Sequence, residues 1–133
     1  MIFIGVFFHL GDRQEKAEED RRHGDFFLMT AARNQQAAQE MFRKRIQDFR
    51  KSGSLFEGEC RIYLTKILEF EAIPDSEAVM LNFRSAAGDP VMPFIDCTIP
   101  MDESHHCTIL EWNENVPEVE GMKGELFLEF PDA

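Results

Sequence analysis

The chain has 133 residues, with 25 Asp and Glu against 14 Lys and Arg and a net charge of -11 at pH 7. That length suits one ordinary domain, and 13 Phe supply its core, so folding needs neither a disulfide nor a metal. So acidic a chain argues against unaided binding to nucleic acid or to an anionic membrane, because both polyanions would be repelled.

Residues 2–10 (IFIGVFFHL) are apolar on both parities: Ile2, Ile4, Val6 and Phe8 on one, Phe3 and Phe7 on the other. A strand with two apolar sides is normally covered on both, which predicts a central strand. The stretch has no basic n-region and no small-residue cleavage site, and it is far shorter than the ~20 residues that span a bilayer. It reads as a buried strand, not as a targeting segment. Gly11 ends it, and the mixed charges of residues 12–23 form a solvated loop or a short polar helix. Residues 25–31 (DFFLMTA) are the second predicted strand.

An amphipathic helix follows over about 33–51. Ala38, Met41, Phe42, Ile46 and Phe49 fall three and four apart in one stripe. Thr30 or Asn34 is placed to cap its start. Arg43, Lys44, Arg45, Arg50 and Lys51 crowd its last turns, where the macrodipole favours cations, and Gly53 supplies a stop.

The period then changes from 3.6 to 2. In residues 60–73, Cys60, Ile62, Leu64, Leu68 and Phe70 share one parity with Lys66, while Arg61, Thr65, Glu69 and Glu71 stand on the other. This predicts a long half-buried strand in which Lys66 is the single violation of the inner face. Its stem would pack while its ammonium reaches the sheet edge or a carboxylate. Beyond Pro74-Asp75, residues 79–84 alternate as a further strand, and 91–99, 107–112 and 125–130 read as three more.

The expected fold is α+β in a single domain, 1–133, with the order β-β-α-β-β-β-β-β. Its sheet is mostly antiparallel, of about six or seven strands, with the helix packed on one face. Seven strands at about 4.8 Å spacing span roughly 30 Å, while one helix is about 10 Å wide. Such a sheet must either curl strongly or be covered by a second copy of the chain.

Three cysteines without regular spacing (Cys60, Cys97, Cys107) point to reduced thiols and a cytoplasmic location. The densest set of potential ligands is Cys97 with His105, His106 and Cys107. Thiolate and imidazole suit a transition metal such as zinc, yet the paired spacing of structural zinc sites is missing. The plainer reading puts both histidines in a polar turn and both cysteines among apolar strand residues. The same residues could carry thiol chemistry, although a thiol must be activated by a correctly placed base.

Charge is divided along the chain. Residues 1–53 hold 10 Lys and Arg against 8 Asp and Glu, whereas 54–133 hold 4 against 17. Glu111, Glu114, Glu118 and Glu120 surround Trp112, a combination that would steer a basic protein partner or simply keep the protein soluble. No phosphate-binding glycine loop, zinc-protease motif or nucleophile elbow occurs. The expectation is a non-enzymatic binding or assembly module acting as a homodimer. The alternatives are a small metal- or thiol-dependent enzyme using the Cys97/His105/His106/Cys107 cluster, and an inhibitor or immunity-type protein for a basic partner.

Overall fold

Four elements can be traced in a computed structural model that describes residues 1–11, 21–52, 55–88, 110 and 127–131. They are β1 (Ile2–Gly11), β2 (His23–Ala31), α1 (Gln35–Lys51) and β3 (Cys60–Phe70). The strands form an antiparallel sheet in the order β2-β1-β3, so the two-sided apolar strand is central. With one helix beside one antiparallel sheet, the protein is α+β.

β1 and β2 pair without interruption from Ile2↔Ala31 to Leu10↔His23. β1 and β3 change register between Val6 and Phe7, where the partner moves from Lys66 to Leu64. Thr65 is therefore an extra residue, a β-bulge, and its hydroxyl donates to the Val6 carbonyl at 2.9 Å. One extra residue inverts the facing of everything beyond it, because side chains alternate with a period of two. Cys60, Ile62 and Leu64 thus share the α1 side with Ile67. Lys66, Leu68 and Phe70 lie on the other side with Tyr63. The expected violation at Lys66 disappears: this residue is exposed on the face that α1 does not cover.

α1 begins two residues later than the apolar stripe suggested. Asn34, not Thr30, is the N-cap: its backbone is extended and its side chain accepts the Ala37 amide at 2.8 Å. Thr30 lies in β2 instead. At the other end the Ser52 amide donates to the Asp48 carbonyl at 3.0 Å, and Arg50 and Lys51 occupy the last turn.

The core lies where α1 crosses β1 and β2. Phe3 is fully buried and packs with Phe7, Ala38 and Phe42. Phe7 stacks on Phe26 of β2 with centroids 5.0 Å apart, and it meets Phe42 edge-on at 5.6 Å. Gly5 makes this approach possible. A Cβ there would stand 2.6 Å from Phe7 Cε2 and 2.9 Å from Phe42 Cε2.

The strongly curved sheet of six or seven strands is not found: three strands are present among the described residues, and their sheet is not strongly curved. Residues 79–84 alternate in polarity, but they pair with no strand among the described residues and are exposed. Residues 127–130 of the expected last strand are also exposed and outside any strand. Alternation describes a surface that could be half buried; only a ladder partner makes it a strand. Expected strands 91–99 and 107–112 fall outside the described residues, except for exposed Leu110.

The chain divides into two compact units, Met1–Met80 and Leu81–Ala133. The first holds all four elements. In the second, the described residues are exposed, and Gly88 takes a positive φ of 97° with open space around it, a backbone turn suited to glycine.

Candidate functional site

Cys97, His105, His106 and Cys107, and the acidic group Glu111, Trp112, Glu114, Glu118 and Glu120, all lie outside the described residues. Among the described residues no group of three or more His, Cys, Asp or Glu side chains could hold a metal ion. No helix there is long and apolar enough to cross a membrane. What the structure places in view are the two faces of the sheet.

On the α1 side an aromatic series runs outward from the core. Phe7 stacks on Phe26, Phe26 meets Phe56 at 4.9 Å, and His9 stands 6.2 Å from Phe26 and 5.9 Å from Phe56. Phe56 enters this group with φ at +61°, an uncommon conformation for a residue with a side chain, and its carbonyl accepts from Arg50 Nη1 at 3.0 Å. Gly24 leaves room for the imidazole, since a Cβ there would lie 3.0 Å from His9 Nε2. Burial pushes the His9 imidazole below its ordinary value of 6.5; positive charge on His23 and Arg22 acts in the same direction, and Asp25 opposes it. His9 is therefore a half-buried rim histidine that favours its neutral form.

Between α1 and β3 the same side opens into a groove of about 280 Å³, floored by Phe7, Phe42, Ile46, Ile62 and Leu64. Arg43 stands on its rim and is paired with Glu40. The groove exists because α1 packs over β2 and β1, leaving the helix-side residues of β3 only partly covered.

Among the described residues the opposite face carries no helix, and it is still largely apolar. Ile4 and Val6 at its centre are buried, while Phe27, Met29 and Tyr63 on the flanking strands are 45%, 67% and 47% exposed. Asp25, Arg61 and Lys66 are exposed charged residues of the same face. This surface was only half legible in the sequence. The two-sided pattern of β1 implied it, but the bulge at Thr65 hid which β3 residues belong to it. The chain matches none of the protein-family models, curated proteins or solved structures with which it was compared.

Proposed function

We propose that the protein is a cytoplasmic, non-enzymatic binding or assembly module that works as a homodimer, with the helix-free sheet face as its apolar contact surface. The observation that carries this reading is the exposure of Phe27, Met29 and Tyr63 beside the buried Ile4 and Val6. Large side chains grouped on one side of a sheet, with charged residues among them, are the composition expected of a contact surface. Exposed apolar area of this kind gains free energy when a partner removes it from water. A catalytic role has less support among the described residues, where His9 stands among phenyl rings.

Light scattering on the full chain at high micromolar concentration tests the reading. The mass of a dimer is expected, and a strict monomer would overturn it.

A further inference from the structure

The two outer edges of the sheet differ, and the difference locates a seam between copies. The outer strand β3 is interrupted by the Thr65 bulge and carries Arg61 and Lys66, features that discourage a further strand from adding. β2 has none of these. Its nine residues pair with β1 in unbroken register, and HGDFFLMTA contains neither proline nor lysine nor arginine. Among the described residues no strand pairs with its outer side.

Two hydrogen bonds fix which β2 residues offer backbone groups to that side. The Gly11 amide donates to the Arg22 carbonyl at 2.9 Å, and the Ala32 amide donates to the Met1 carbonyl at 3.0 Å. In an antiparallel ladder the hydrogen-bonded pairs recur at every second residue. The even-numbered residues of β2 therefore bond to β1, and Phe27, Met29 and Ala31 turn their N–H and C=O groups outward. Apolar side chains flank this edge on both faces. Phe27 and Met29 lie on one. On the other, Met41 of α1 is 48% exposed and sits against Thr30, whose Oγ1 is 3.4 Å from its sulfur.

We infer that the β2 edge pairs antiparallel with the β2 edge of a second copy about a twofold axis at Phe27, joining two three-stranded sheets into one of six strands. This inference rests on the homodimer proposed above and places its seam along β2, at the margin of the helix-free face, which then runs on across both copies. A closed dimer needs a self-complementary patch, and β2 provides one. Centring the axis on Phe27 overlaps the whole strand, matches outward residue to outward residue, and sets Asp25 against Met29 and never against its own copy. The twofold puts both helices on the same side of the joined sheet and sets Thr30, with Met41 against it, opposite Gly24 of the second copy.

Proline scanning of the full chain tests the seam, because proline removes an amide donor. Phe27→Pro and Met29→Pro delete outward N–H groups and leave the β1 ladder intact. Each should weaken the dimer about thirty-fold or more, since two ladder bonds are lost per dimer. Met29→Ala keeps the amide and should weaken it less than about five-fold. Leu28→Pro breaks the β1 ladder and should unfold the strand, which shows that the parity is right. Phe27→Cys should form an intermolecular disulfide on mild oxidation that wild type does not, because directly paired residues lie about 5.5 Å apart, within disulfide reach.

A dimer that survives both outward prolines, with no crosslink at position 27, would overturn the seam and leave the homodimer standing. A strict monomer at high micromolar concentration would overturn both.

Discussion

The two faces of the sheet are built from similar residues and do different work. On the α1 side, Phe7 and Phe42 meet edge-on over Gly5 and pack in one cluster with the fully buried Phe3. On the other side, Phe27, Met29 and Tyr63 are equally apolar but lie open to solvent. Residue type does not separate the faces; the packing of α1 on one of them does. Folding free energy should therefore concentrate on the covered face, and the exposed flanking residues of the open face, unlike its buried Ile4 and Val6, should add little to it.

The largest test of this contrast is Phe42→Ala. Removing a buried phenyl from the core should cost about 3–5 kcal/mol in urea or thermal unfolding. A loss below about 1 kcal/mol would mean that the covered face is not the stabilising one. Gly5→Ala comes next, because a methyl would have to displace both Phe7 and Phe42; overpacking of this kind costs about 1–3 kcal/mol. Asn34→Ala removes the cap that presents α1 to the sheet, for about 1 kcal/mol. On the open face, Tyr63→Thr keeps a strand-forming residue and should change unfolding by no more than about 0.5 kcal/mol. Substantial destabilisation by that variant would break the contrast.

Acidity gives the mildest test. His9 titrates below its ordinary value in the folded protein, so between the two values the unfolded chain binds the extra proton. Its contribution to stability is fully present above pH 6.5 and is lost as pH falls through the lowered folded value. His9→Phe should flatten this part of the stability–pH curve. An unchanged slope would show that another group produces it.

The sequence made β1 legible because apolar residues on both parities have one simple explanation, a central position. It made α1 legible because the stripe, the basic last turn and a capping Asn34 all agree. β3 was read correctly as a strand and wrongly as to facing. Its alternation continues evenly through a point where the backbone does not, and no residue type announces the bulge at Thr65. Residues 79–84 failed for a different reason, since strand pairing is a long-range property that alternation cannot supply. Gly5 was also missed: a strand glycine shows its purpose only when the rings of Phe7 and Phe42 are placed beside it. The sequence-derived Cys/His and Trp/Glu groups lie outside the described residues, so the open sheet face became the candidate site by its geometry alone.

Tyr63 is the chain's single tyrosine, among 13 phenylalanines and one tryptophan. Its position on the open face gives the protein an intrinsic label. Selective isotope labelling of tyrosine would yield one ring system in an NMR spectrum, with no assignment needed. Its shift and linewidth would report directly on whatever comes to rest against that surface.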